Sequence, residues 1–253
     1  MPNHGKTVKS LLLIAFIITL ASVFAVLPSQ SKNISPSANQ QKDVSQQSQM
    51  PVATYAASEP ADPTARELRR AKNSRYDNRR PQPVSELADG IEELPLITHW
   101  WSDISALPSA QSAAVVIGDV IDGHAYLSND KTGVYSEFTI HVKEVLKGSN
   151  QLPLNAGNSI VVEREGGAVR FPSGRVQKYR IAHQGMPRPG RQYVFFLKYN
   201  DLGQDFSILT AYELREGRVL PLDSVDQFAG FKNANVASFL DAVRNSSKGG
   251  NNQ

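Results

Sequence analysis

Residues 138–148 read FTIHVKEVLKG. Phe138, Ile140 and Val142 alternate with Thr139, His141 and Lys143, so the two sets of side chains point to opposite faces of an extended strand. At Glu144, Val145 and Leu146 the alternation breaks, and Lys147-Gly148 closes the run. A β-bulge or a strand end produces such a break, and bulges re-aim strands at barrel corners and rims. The stretch therefore predicts a strand with one dry and one wet face, in a small, bent β-structure rather than a flat sheet.

Runs of similar length lie on both sides of it. AAVVIGDVI (113–121), VYSEFTIHV (134–142), SIVVER (159–164), RVQKYRIAH (175–183), QYVFFLKY (192–199), FSILTAYEL (206–214) and RVLPL (218–222) are apolar, alternating or rich in β-branched and aromatic residues. Turn signals separate them: Asp122-Gly123, Asn129-Asp130 with Gly133, Gly166-Gly167, Gly185, Pro189-Gly190, Asp201 to Gly203 and Glu216-Gly217. Short strands with this punctuation predict an all-β sandwich or barrel. Val236, Phe239, Leu240 and Val243 fall at i, i+3, i+4 and i+7, which predicts one C-terminal helix, capped by Asn233 or Asn235. The expected fold class is mainly β: a small barrel in residues 91–245 with a C-terminal helix and a loose tail over 246–253.

Upstream the chain changes character. Lys6 and Lys9 precede an apolar run over 11–27, interrupted by Thr19 and Ser22 and ended by Pro28. It reads either as a signal anchor, for which about 17–25 apolar residues are needed, or as a signal peptide cut after Ala25. Lysines on its N-terminal side place that end in the cytoplasm. Both readings export the rest of the chain, either tethered by residues 11–27 to the outer face of a bacterial inner membrane or released to the periplasm or medium. Residues 28–57 are dominated by Ser, Gln, Asn and Pro without an apolar period, so they read as a tether unable to offset its own ordering entropy. The next segment carries a short helix over 65–74, capped by Asp62 or Thr64. There Arg66, Arg69, Arg70, Lys72, Arg75, Arg79 and Arg80 face Asp62, Glu67 and Asp77, an excess of four positive charges. It reads as a soluble, partly helical spacer, or as a contact for an acidic surface. SELADGIEE (85–93) reads as a second short helix. The expected organisation is thus a leader (1–27), a disordered and partly helical linker (28–90), a β-domain of about 150 residues, enough for one ordinary core, and a tail. Trp100 and Trp101, the only tryptophans in the chain, read as cover for the core or for a sheet edge.

The chain has no cysteine, which excludes disulfides, thiolate metal sites and a lipoprotein anchor. There is no nucleophile elbow, zinc-protease helix, phosphate loop or dinucleotide fingerprint, so no cofactor is expected and enzymatic activity is the less favoured class. Asp119, Asp122 and His124 hold suitable donors, but Asp122-Gly123 reads as a turn and no metal is assigned. The net charge of +3 is modest and no nucleic-acid partner is expected.

The order of motifs supplies one resemblance. "VVIGDV", then "VKEVLKG", "SIVVEREGG", "GMPRPGRQYVFFL", "YELREGRVLPL" and "FLDAVR" together resemble a family of uncharacterised exported bacterial β-domains over residues 113–244. That resemblance implies an architecture similar to the OB-like barrels of netrin and tissue-inhibitor-of-metalloproteinase modules. It carries no catalytic residue over. The animal modules are cysteine-rich and this chain is not, which weakens any inference of protease inhibition.

One local feature suggests a site. Arg164, Arg170, Arg175, Lys178, Arg180, Arg188 and Arg191 stand against Glu163 and Glu165, while residues 110–245 as a whole hold fifteen basic and fourteen acidic side chains. Tyr179 lies among the arginines. OB-like barrels bind extended polymers by combining a basic groove with aromatic platforms. The expected binding set is therefore Arg164, Arg170, Arg175, Lys178, Tyr179, Arg180 and Arg188. The expected partner is an anionic polysaccharide, a lipid or an envelope protein. The second function class is an accessory or inhibitor domain for an extracytoplasmic peptidase.

Overall fold

A computed structural model describes residues 50–87 and 93–249. The apolar run 11–27, the polar stretch up to residue 49 and residues 250–253 lie outside the described residues, as does most of the helix expected over 85–93. Among the described residues no helix is long and apolar enough to cross a membrane.

The chain is mainly β. In order it forms β1 (Val52–Thr54), α1 (Pro63–Ser74), β2 (Glu93–Leu96), β3 (Ala114–Leu127), β4 (Val134–Lys147), β5 (Ser159–Glu165), β6 (Gly167–Arg170), β7 (Val176–Ile181), β8 (Gln192–Asn200), β9 (Asp205–Arg215), β10 (Arg218–Pro221), α2 (Asp226–Ala229) and α3 (Val236–Gly249). One sheet has the order β10-β9-β5-β4-β3-β8, with β9 also pairing antiparallel to β8. The β5–β9 contact is parallel, through Val162 opposite Phe206 and Glu163 opposite Ser207. A second sheet has the order β1-β6-β7-β2.

Both faces of the larger sheet are covered, and this explains its sequence. Along β3, Ala114, Val116 and Val120 enter one core with Phe138, Ile140 and Val142 of β4 and Tyr193, Phe195 and Leu197 of β8. Val115, Ile117, Val194 and Phe196 point the other way, into a second core with Tyr212, Phe228, Phe239 and Val243. Strands buried on two sides need apolar residues at consecutive positions, hence AVVI and YVFFL rather than strict alternation. Leu146 has no opposite number: Val115 faces Lys147 and Val116 faces Val145. The break in alternation is thus a bulge. A second irregularity skips Lys143, since Gly118 faces Val142 and Ile117 faces Glu144; this one returns Val145 to the first core, while Leu146 packs on the second. The predicted wet face of β4 is wet only in part, since Tyr135 and Glu137 are buried, Thr139 and His141 are half-buried and Lys143 is exposed.

Three further expectations change. Asp122-Gly123 is no turn, because β3 continues to Leu127. Gly123 serves close approach instead: a Cβ there would stand 2.9 Å from the Phe138 ring and 3.0 Å from Pro51. Gly166-Gly167 joins the two sheets, with β5 paired to β4 before it and β6 paired to β1 and β7 after it. Gly167 has φ 153° and lies so near Ala125 that a Cβ would come within 2.9 Å. Pro95 lies within a strand, which is allowed because β2 is an edge strand. Finally, α3 runs beyond Asn245, since Ser246 hydrogen-bonds Ser109 at 2.7 Å and Ser247 is buried against it.

Residues 50–87, read as linker, lie against the β-structure. Ala53 and Val84 are buried in a third cluster with Val169, Phe171 and Tyr179. Asp62 caps α1 by accepting from the Ala65 amide at 2.7 Å. Asn235 caps α3, accepting from Ala237 at 2.9 Å. Trp100 and Trp101 pack against the second core, as the sequence predicts.

Candidate functional site

Alternation along β7 sorts the predicted binding set. Gln177, Tyr179 and Ile181 are buried, while Val176, Lys178 and Arg180 are exposed. Pairing extends the exposed row on both sides: Arg170 of β6 lies opposite Val176 and Thr54, and Lys178 lies opposite Glu93 of β2. Arg170, Lys178 and Arg180 therefore share one solvent-facing surface of the four-stranded sheet. Arg175 stands at its end, where Nε lies 3.2 Å from Glu86 and Nη1 donates to the Leu87 carbonyl at 3.2 Å. Glu93 accepts from Arg180 at 3.1 Å, with both side chains well exposed. Such surface pairs are worth about 0–1 kcal/mol, so an incoming anion can exchange with the carboxylate.

The remaining three members lie elsewhere. Arg164 is 2% exposed, because its strand turns it inward. Its Nη2 bonds both oxygens of Asp223, at 2.7 and 2.8 Å, and its guanidinium lies 5.3 Å from the Trp100 ring centre. Asp223 also accepts from Thr210 and from the Gly185 amide. Arg164 is thus a structural ion-pair partner that no polymer can reach. Tyr179 is 1% exposed and no stacking platform; burial pushes its phenol up to about 12, and Arg80 lies over its ring at 4.9 Å. Arg188 approaches Glu213 at 3.9 Å, where Arg191 and Arg215 also converge, away from the β7 row.

A second charged region is absent from the sequence-based expectation. Glu137 of β4 lies directly opposite Glu163 of β5, a repulsive arrangement if left alone. Phe206 enters the first core, which leaves Asp205 and Ser207 of β9 on the same outer face as the two glutamates. Three cations from α1 and its C-cap, spaced three apart, roof this row. Arg69 forks Glu137 at 2.7 and 3.0 Å. Lys72 bridges Glu137 at 3.0 Å and Asp205 at 2.8 Å. Arg75 contacts Glu163 and bonds Asp205 at 3.1 Å. Burial, together with the Asp205 charge, pushes the Glu163 carboxyl up to about 7 against the pull of Arg75. Tyr76 stacks on Tyr135 at 4.3 Å and completes the cover.

No protein-family model matches the chain, and no curated protein matches it in sequence.

Proposed function

We propose that this chain is a non-enzymatic interaction module that holds an extended polyanion, or an acidic envelope partner, on the exposed face bearing Arg170, Lys178 and Arg180. The observation that carries the reading is the single-sided alternation of β7, which gathers three cations from two strands on one open surface. A flat, cationic sheet face suits a flexible polymer of repeated charge better than a small molecule, which needs a concave pocket. The module is read as extracytoplasmic, on the strength of the lysines before the apolar run 11–27. Its architecture is read as an OB-like barrel of the netrin type. The circuit of pairings supports this: β3, β4 and β5 follow one another, β8 pairs with β3, and β9 pairs with both β8 and β5. A parallel contact between the third and last strands of that circuit fits the same reading.

The test is titration of the full-length chain with dextran sulfate at rising salt. Affinity is expected to fall steeply as the Debye length shrinks. The variant R170A/K178A/R180A is expected to lose about tenfold or more, with thermal stability unchanged because all three side chains are exposed. Wild-type binding that ignores salt, or a triple variant that binds as well as wild type, refutes the reading.

A further inference from the structure

One groove among the described residues has a volume of about 1080 Å³, and none of Arg170, Lys178 and Arg180 lines it. It is bounded by β1 with the chain that follows it, by α1, by the C-terminal half of β3 and by the β3–β4 loop. Arg66 and Arg70 project into it from α1, and Lys131 from the loop. Arg70 already holds a carboxylate: Nε and Nη2 donate to the two oxygens of Glu59 at 2.8 Å each. Arg66 stands 3.7 Å from the same group and is itself fixed by the carbonyls of Pro60 and Ala61. The Arg70 hydrogen bonds hold the Glu59 carboxyl below its usual range. Across the groove, Lys131 Nζ sits 4.3 Å from the Tyr55 ring centre, and Arg69 sits 3.7 Å from that of Tyr126. The Asn129 amide donates to the Arg70 carbonyl at 2.9 Å and ties the loop to the helix.

We infer that this groove is a carboxylate-binding site for an acidic saccharide, with Glu59 as its intrachain occupant. Arg70 forms the seat as a fork for a planar carboxylate, Arg66 adds a second positive charge at 3.7 Å, and bidentate pairing of the Arg70 kind gives both strength and geometry. Glu59 is half exposed and lies in a stretch without helix or strand, so it can leave without breaking a sheet or a core. A ligand carboxylate exchanges with it at little net electrostatic change. The rest of the lining favours a ring rich in hydroxyls over a peptide: Ser58, Asn73, His124 and Asn129 bring uncharged or weakly basic polar side chains to the groove.

The experiment titrates a short oligogalacturonate into the full-length chain at low salt. R70Q is expected to weaken binding about tenfold, the loss of one bidentate charge-assisted contact. E59Q, which removes the internal competitor while keeping its shape, is expected to tighten binding several-fold. K131Q serves as a second loss-of-binding variant should R70Q lower the melting temperature. Failure of wild type and E59Q to bind, or an E59Q variant that binds no better than wild type, overturns the inference. Inorganic phosphate or polyglutamate binding more tightly than the saccharide, with the same response to R70Q and E59Q, overturns the assignment to a saccharide. The basic face is probed by different substitutions and a sulfated polymer, so failure at one site leaves the other standing.

Discussion

The acidic row on β4, β5 and β9 and the basic row on β6 and β7 are built the same way, from alternate side chains that sheet register brings together. They end in opposite states. Glu137, Glu163 and Asp205 lie beneath Arg69, Lys72 and Arg75, whereas Arg170, Lys178 and Arg180 face solvent. The difference follows from which elements have a neighbour to cover them. The larger sheet has α1 on its outer face here, and a buried carboxylate row without cations would carry a heavy desolvation cost. The smaller sheet keeps its cations at an exposed face, where the Arg180–Glu93 pair stays in contact with solvent. Formal charge alone therefore does not show which charged side chains a fold leaves accessible; that depends on which of them another element covers.

The sharpest way to break the comparison is to remove a buried partner. Asp223→Ala leaves Arg164 charged and enclosed, with Thr210 and the Gly185 amide also deprived of their acceptor. Breaking such a pair typically costs about 3–5 kcal/mol. Urea unfolding is expected to show a loss of that size, against a change within about 0.5 kcal/mol for Arg180→Ala on the exposed row. Equal effects at the two sites would mean that Arg164 and Arg180 have comparable surroundings, contrary to the structure.

A smaller effect is expected where α1 meets the sheet. Lys72→Met keeps the apolar stem but removes the bridge between Glu137 and Asp205. Arg69 and Arg75 still reach both carboxylates, so the loss should be about 1.5–3 kcal/mol, the range for hydrogen bonds to charged groups. The helix exposes Leu68 and gains little from apolar burial. Lys72→Met should therefore also speed tryptic cleavage at Arg66 and Arg70 while the β-structure stays folded. Uniform resistance to trypsin would show that something other than charge holds the helix down.

How far these regions were legible differs by physical cause. The β-rich class, the break in alternation after Lys143, the capped helix starts with Asp62 and Asn235 each as one of two candidates, and the C-terminal helix face could be read from the chain, because alternation, capping and helical spacing are local properties. Single-sided exposure of Lys178 and Arg180 follows from the same local rule. Arg164 misled: alternation sets it on the same face of β5 as Val162, but the group that neutralises it there, Asp223, lies far along the sequence. The cations of α1 misled for the same reason, and they read as a solvated spacer although three of them are committed to Glu137, Glu163 and Asp205. A signal did exist: Arg69, Lys72 and Arg75 recur every three residues, which sets a charged stripe on one helix face. Asp122-Gly123 was read as a turn because the sequence does not show that Pro51 and Phe138 crowd that position.

The mildest perturbation is proton uptake within the covered row. Burial raises the Glu163 carboxyl from an ordinary 4.5 to about 7 in the folded chain, with Asp205 adding repulsion and Arg75 and Lys72 opposing it. Tyr76 and Asn200 complete its surroundings. Between about pH 4.5 and 7 the unfolded chain has released this proton while the folded chain still holds it. Unfolding is then favoured by rising pH, with a slope of at most about 1.4 kcal/mol per unit for one proton. Below 4.5 both states are protonated and above 7 both are ionised, so the dependence is confined to that window. Glu163→Gln cannot titrate and should flatten the curve there, the difference between wild type and variant reaching about 1–2 kcal/mol by neutral pH once the coupling to Arg75 is allowed for. Arg170, Lys178 and Arg180 lie on the other sheet, so R170A/K178A/R180A should leave the slope unchanged. A wild-type stability that is flat from pH 4.5 to 7, or one that the Gln substitution does not alter, would mean that water reaches Glu163 and that α1 does not seal the acidic row.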